Sequence, residues 1–147
     1  MGIISRAKLV ALPFFTADRI ARYMAAGQLT SKQVVKYAVQ SDFVMTQKAW
    51  KVLNADPSLI VRLECRKGIG LAYFGEDVGR LLTQKEIKPI TVAKVLVKLI
   101  PKNGFTDEQV YAASRVISSH SIANQGEIIT ELAKLNYGLG KAIHAVL

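Results

Sequence analysis

The residues that could perform acid–base or metal chemistry are few, and their spacing does not suit that chemistry. The chain has two histidines, His120 and His144, and neither belongs to a His-x-x-x-His or Glu-x-x-His pattern that would place two metal ligands on one helix face. Ser118, Ser119 and Ser121 flank His120, but no Gly-x-Ser-x-Gly elbow and no orienting acid accompanies them. We therefore expect a protein that is not an enzyme and has no catalytic residues, no metal site and no cofactor.

One acidic pair and one glycine pair come closest to a small-ligand motif. Glu127 and Glu131 lie four residues apart, which would let one helix face present two carboxylates to a hard cation, but the same spacing is typical of a solvated face. Gly68 and Gly70 resemble the start of a dinucleotide-binding loop, yet Tyr73 occupies the third glycine position and no strand precedes them. A turn between two helices explains these glycines better.

Targeting signals and cysteine usage limit where the protein is expected to act. No run of 18 uncharged apolar residues is present, so the sequence predicts no transmembrane segment. The first 17 residues resemble a signal peptide only in outline, because Pro13 interrupts a short apolar run. Cys65 is the single cysteine, which excludes an intramolecular disulfide and fits a reducing compartment. We expect a location in the cytoplasm or within a virus particle, without a cleaved signal peptide.

Positive charge is the main functional signal in the sequence. The net charge is +9, and residues 1–67 hold 11 Lys and Arg against 4 Asp and Glu. Such a bias favours nucleic acid, anionic lipid or an acidic protein surface as partner. Lys94 and Lys98 share one strip of a helix, where they either bind a polyanion or only keep an apolar helix soluble. The predicted polyanion-binding residues are Arg62, Arg66, Lys67, Lys85, Lys88, Lys94, Lys98 and Lys102.

The elements that would position these residues are helices, because helix-start signatures recur along the chain. In such a signature a Thr, Ser, Asp or Asn side chain accepts a hydrogen bond from an unpaired backbone N–H, and a Glu or Gln three residues later can pair back. Repeated starts in a chain of 147 residues predict an all-α protein of short elements. The predicted caps are Thr16, Thr30, Asp56, Thr83, Thr106 and Asn124.

The caps and the apolar periodicity predict the helix bounds. The helix that starts at Ser31 either breaks near Ser41 or continues to Leu53. Gly75 and Gly79 would let another backbone approach closely, whereas Gly138 and Gly140 would loosen the chain. The other predicted helices span residues 3–12, 17–26, 57–67, 71–82, 107–120 and 125–137, followed by a last apolar turn at 142–147.

The segment 90–101 organises the rest of the predicted fold. On a helix, its valines, leucines and isoleucines cover about half of the circumference, opposite Lys94 and Lys98. The same run also suits a buried strand, but no second stretch offers that strand a partner. We therefore predict a compact single domain over residues 1–147, a bundle of about seven short helices around a central apolar helix at about 91–100.

The apolar content predicts a second buried surface. An apolar fraction of 50% exceeds what one small core needs, which favours a subunit interface and a homo-oligomer. We predict a non-catalytic structural or assembly protein that self-associates near a polyanion, such as a shell, coat or nucleocapsid-type building block, including one of viral origin. The alternatives are a nucleic-acid-binding or regulatory module, a small inhibitor or immunity protein that binds an acidic partner surface, and a peripheral protein of anionic membranes.

The apolar end of the chain is the predicted self-association surface. Ile143, Val146 and Leu147 would be costly to leave in water. They either pack on the core of their own chain or reach a neighbouring subunit.

Overall fold

Helices make up the regular structure of the computed structural model, which describes residues 16–67, 74–101 and 104–147 except for the side chains of residues 64–67. Within these ranges there are nine helices and no strand, which confirms the all-α prediction with more helices than expected. The helices are α1 (Ala17–Ala25), α2 (Ser31–Val39), α3 (Phe43–Ala55), α4 (Ser58–Lys67), α5 (Glu76–Leu82), α6 (Pro89–Leu99), α7 (Asp107–Ser118), α8 (Ile122–Leu135) and α9 (Tyr137–Val146).

Side-chain caps begin the helices at most of the predicted positions. The Gln33 N–H donates to Thr30 Oγ1 over 3.2 Å, and Thr16 caps α1 in the same way. At α7 the capping box is complete, because the Gln109 N–H donates to Thr106 Oγ1 over 3.2 Å and the Thr106 N–H donates back to Gln109 Oε1 over 2.7 Å. These local signals therefore fix where several elements start.

Two predicted helix starts are wrong. The Thr83 hydroxyl lies at the end of α5, where it donates to the carbonyl oxygens of Gly79 and Arg80 over 3.1 and 3.2 Å instead of capping a new helix. Asn124 lies within the first turn of α8, and its N–H donates to Ser121 Oγ over 3.3 Å. Ser121 is therefore the cap, because its hydroxyl reaches the first open N–H groups of α8.

The helix predicted from Ser31 breaks near Ser41. Asp42 begins α3, because its Oδ1 accepts the Met45 N–H over 2.9 Å. α2 and α3 remain joined through the only tryptophan, since the buried Trp50 Nε1 donates to the Ala38 carbonyl over 3.0 Å. A satisfied indole N–H is what allows so large a side chain to be buried here.

α6 is the apolar helix that the sequence predicts at about residues 91–100. Val92, Val95 and Leu96 are completely buried, whereas Lys94 and Lys98 are exposed. The helix packs most extensively against α8 and also against α4. Its apolar side therefore faces the core, which leaves the two lysines on the one strip that stays in solvent.

The end of the chain is a full helix rather than the loose segment and short apolar turn predicted for it. Asn136 alone connects α8 to α9 and caps the latter, because its Oδ1 accepts the Leu139 N–H over 3.2 Å. A Cβ atom at Gly140 would lie 2.9 Å from the backbone nitrogen of Ala133, so Gly140 lets α9 pack closely on α8. The expected close approach at Gly79 is wrong, because nothing lies within 4 Å of a Cβ atom built there.

The remaining sequence predictions concern bounds and positions that the structure describes only in part. α5 begins at Glu76 rather than at residue 71. The helix predicted at 3–12, the turn at 68–70 and the side chain of Cys65 lie outside the described residues. Among the helices that are described, none is long and apolar enough to cross a bilayer.

Candidate functional site

An open groove of about 540 Å³ lies between α4 and α6. Its floor is aliphatic and is formed by Val61 of α4, Val97 of α6 and Leu135 at the end of α8. Leu135 is 44% exposed and lies beside the other two apolar side chains. We call this feature the α4–α6 groove. Its floor leaves apolar surface accessible to a partner.

Three basic residues line the same groove. Arg62 comes from α4, and Lys94 and Lys98 come from α6, where they lie one turn and about 6 Å apart along the helix axis. All three are exposed, and within the described part of the chain none of them forms an ion pair. The Arg62 side chain also reaches the turn at Gly27, where its Nη1 would lie 2.7 Å from an added Cβ atom. The structure thus brings three of the predicted basic residues to one place.

One carboxylate, that of Asp56, also lines the groove. Its Oδ1 accepts from the Ser58 N–H over 3.3 Å and from the Ser58 hydroxyl, so this carboxylate caps α4 as predicted. Helix α4 begins directly after Pro57. Three cations therefore oppose one carboxylate that is already engaged, and the described lining leaves a net positive charge beside apolar surface. Such an arrangement can bind an anion that carries an apolar group.

Lys85 and Lys88, two of the other predicted basic residues, do not line this groove. Lys85 and Lys88 lie on the connection before α6, and Lys88 precedes Lys98 by about 15 Å along the helix axis. Asn54 fixes that connection, because its Oδ1 accepts the Lys88 N–H and its Nδ2 donates to the Glu86 carbonyl, each over 3.0 Å. Among the described residues, the predicted polyanion-binding set is therefore divided into the groove residues and the pair Lys85 and Lys88. Lys102 and the side chains of Arg66 and Lys67 lie outside the described residues.

The residues predicted for self-association differ in burial. Ile143 is completely buried in the hydrophobic core of its own chain, because α9 is a full helix that packs on α8 and α7. It is therefore not available to a second copy in this fold. Val146 and Leu147 are 44% and 45% exposed and stay at the surface.

The structure shows what surrounds His120 and the acidic pair Glu127 and Glu131. His120 is buried, and its Nε2 donates to the Leu82 carbonyl over 2.8 Å, which ties the end of α5 to the end of α7. Glu131 pairs with Lys134 over 3.2 Å, while Glu127 is exposed. Over the described residues, no three potential metal ligands cluster together.

A second cavity, of about 320 Å³, lies among α1, α2 and α3 beside Tyr37. Tyr37 is 5% exposed, and its hydroxyl has no hydrogen-bond partner among the described residues. Burial raises the pKa of Tyr37 above its ordinary value. Asp42, which also lines the cavity, is used to cap α3. The cavity therefore offers little chemistry, but the burial of Tyr37 predicts a fold that is sensitive to alkali.

The stability of the protein is expected to fall as the pH rises above about 10, the pKa of an unfolded tyrosine. Below that pH, Tyr37 is neutral in both states. Above it, the unfolded side chain deprotonates while the buried one resists, so unfolding becomes more favourable by up to about 1.4 kcal/mol per pH unit. Urea midpoints between about pH 9 and pH 11 measure this loss. Tyr37→Phe should show a smaller loss over the same range, and an equal loss in both proteins would contradict the assignment to Tyr37.

Sequence reasoning missed the floor of the groove. Val97 lies between Lys94 and Lys98 in the sequence, which places it beside the lysine strip and was a signal that could have been used. Val61 and Leu135 reach the groove only because α4 and α8 pack against α6. No pattern in the sequence predicts those two contacts.

Comparisons with known proteins add no family to this description. No protein-family model matches the chain, and no curated protein and no solved structure shows significant similarity to it.

Proposed function

We propose that the protein is a non-catalytic helical binding protein whose α4–α6 groove takes an anionic partner with an apolar contact surface. The observation that carries this proposal is the convergence of Arg62, Lys94 and Lys98 around an aliphatic floor, without an ion pair in the described part of the chain. A partner that covers the floor also excludes water from the charges, and ion pairs strengthen as the surrounding dielectric constant falls.

An acidic protein surface suits the groove better than nucleic acid does. Nucleic-acid interfaces are polar and hydrated, and single strands bind by stacking their bases on aromatic side chains. Val61, Val97 and Leu135 offer aliphatic surface and no ring on which a base could stack. Among the functions predicted from the sequence, the geometry therefore favours the alternative in which the protein binds an acidic partner surface.

Self-association as an assembly protein is the second candidate. The observation that favours it is the number of large apolar side chains that remain exposed on the described surface. They lie on α3, α6, α7, α8 and α9 and at the chain end. The core therefore buries only part of the apolar residues. These residues are Phe43, Val44, Ile90, Tyr111, Ile122, Leu135, Tyr137, Val146 and Leu147.

Reversing the two lysines of the groove is expected to weaken its binding of anilinonaphthalene sulfonate, a dye that combines a sulfonate with aromatic rings. The double variant Lys94→Glu, Lys98→Glu should bind the dye about tenfold more weakly or worse, because repulsion replaces attraction at the rim. Dye fluorescence during a titration at low protein concentration measures the affinity. Raising the salt concentration should weaken the wild-type complex and leave the double variant little changed.

The matched control reverses two lysines elsewhere. Lys32 of α2 and Lys51 of α3 are exposed and do not line the groove, so Lys32→Glu, Lys51→Glu makes the same change in net charge. This variant should keep wild-type affinity, whereas Leu135→Ser should lose affinity because it removes part of the floor. Equal losses in the two double variants, or none in either, would contradict the proposal. The fluorescence of Trp50 reports whether each variant is folded.

A further inference from the structure

The first turn of α7 carries a surface whose charge is opposite to that of the groove. Asp107 and Glu108 are exposed there and form no hydrogen bond or ion pair through their side chains with the rest of the described chain. Tyr111 follows them by four and three residues, so the three side chains share one helix face. Tyr111 is 59% exposed, and the next charge on that face is Arg115, one turn further along. We call Asp107, Glu108 and Tyr111 the acidic turn.

We propose that the acidic turn of one copy occupies the α4–α6 groove of a second copy. This inference rests on the proposed function, because it names the partner that the same groove would bind. Two carboxylates would meet Lys94 and Lys98, and one aromatic ring would cover the floor beside Leu135. A tyrosine side chain fits within 540 Å³, and the lining residues of α4, from Ser58 to Arg62, extend only about 6 Å along the helix axis. A groove of that length suits a single turn of a helix better than an extended chain.

The occupant comes from another copy because the acidic turn lies elsewhere on its own chain. α7 packs on α8 and α9, and no α7 residue is among the described residues that line the groove. The segment before Thr16 is a poor alternative occupant, because its sequence carries Arg6 and Lys8 and no carboxylate side chain. Charge complementarity therefore favours the acidic turn.

Such a contact joins two different surfaces of identical chains. Once two copies have joined, one of them still has a free groove and the other a free acidic turn, so the contact propagates into a closed ring or an open filament. The contact is also small, since a tyrosine buries about 150–250 Å² whereas a stable interface buries about 800 Å² on each partner. We therefore expect association that depends on concentration and weakens with salt.

Sedimentation velocity of the full-length chain tests the association itself. Between about 10 μM and about 1 mM, the range of weak dissociation constants, the weight-average mass should rise well above that of the monomer. Adding salt to about 0.5 M should return the protein toward monomer, because exposed charge pairs are screened. A monomer at every concentration in low salt would overturn the inference.

A charge-swap experiment tests which surfaces meet. Lys94→Glu, Lys98→Glu makes the groove acidic, and Asp107→Lys, Glu108→Lys makes the turn basic, so each variant alone should remain monomeric. An equimolar mixture should associate again, because each turn then finds a groove of opposite charge. The control Lys32→Glu, Lys51→Glu should associate like the wild type. Association that survives in either reversed variant, or that is not restored in the mixture, overturns the inference.

A further variant covers the case in which lysines at the start of α7 weaken that helix, since cations are unfavourable at a helix N-terminus. Tyr111→Ala keeps both carboxylates and should weaken association by about fivefold or more, because it removes the aromatic anchor. Unchanged association in Tyr111→Ala would overturn the inference.

Dye binding separates the two proposals. If the protein is monomeric but binds anilinonaphthalene sulfonate through Lys94 and Lys98, the inference of self-association fails and the proposed binding function stands. If it is monomeric and the dye does not respond to those lysines, both fail.

Discussion

Replacing Gly140 with alanine is expected to lower the free energy of unfolding by about 1–3 kcal/mol, the range for overpacking a closely packed contact. The added Cβ would lie 2.9 Å from the backbone nitrogen and 3.0 Å from the Cα of Ala133. Both atoms belong to the backbone of α8, so neither can move aside without shifting that helix. Alanine would by itself favour the helix by about 1 kcal/mol, but the clash outweighs this gain. Urea unfolding followed by Trp50 fluorescence measures the difference.

Gly126 provides the matched control for Gly140. It lies inside α8, and nothing lies within 4 Å of a Cβ atom built there. Gly126→Ala should therefore stabilise the protein by about 0.4–1 kcal/mol, because alanine has less conformational freedom to lose on folding. The same substitution thus has opposite signs at the two sites. If both substitutions stabilise the protein, α9 does not approach α8 as closely as described.

Replacing Leu96 with alanine is expected to cost more, about 2–5 kcal/mol. Leu96 is completely buried in α6, and truncating it leaves a cavity where α6 meets its neighbours in the core. A loss of this size removes a large share of the stability of an ordinary domain, about 5–15 kcal/mol. The shift in the urea midpoint, with the slope of the transition checked for constancy, measures this loss.

Lys94 is the control for Leu96 on the same helix. Its side chain is exposed and has no ion pair within the described residues, so Lys94→Ala should change stability by less than about 0.5 kcal/mol. Comparable losses for Lys94→Ala and Leu96→Ala would contradict the assignment of an inner and an outer face to α6.

Local sequence signals predicted the fold class because helix caps depend on residues only a few positions apart. Thr106 and Gln109 form the capping box that their spacing predicts, and the alternation in α6 correctly separates Leu96 from Lys94. Thr83 shows the limit of such signals, since its pattern matches a helix start although its hydroxyl pairs with the carbonyls at a helix end. A short pattern does not determine which of these two roles a threonine takes.

Long-range packing explains the predictions that failed. Gly140 lowers local helix propensity, yet α9 forms because Leu139 and Ile143 are buried in the core and the close approach to Ala133 requires a residue without a side chain. In the groove, the spacing of Lys94 and Lys98 predicted their shared strip. Leu135 could not be predicted, because it arrives through the packing of α8 on α6.

The position of the binding surface is tested most directly by backbone amide chemical shifts during a titration with anilinonaphthalene sulfonate. We expect the largest changes at the lining residues from three helices that have an amide N–H, which are Ser58, Val61, Arg62, Lys94, Val97, Lys98 and Leu135. Residues beside the Tyr37 cavity should change little. If the largest changes instead fall around Tyr37, or are spread evenly over the chain, the α4–α6 groove is not the site at which this protein binds an anionic partner.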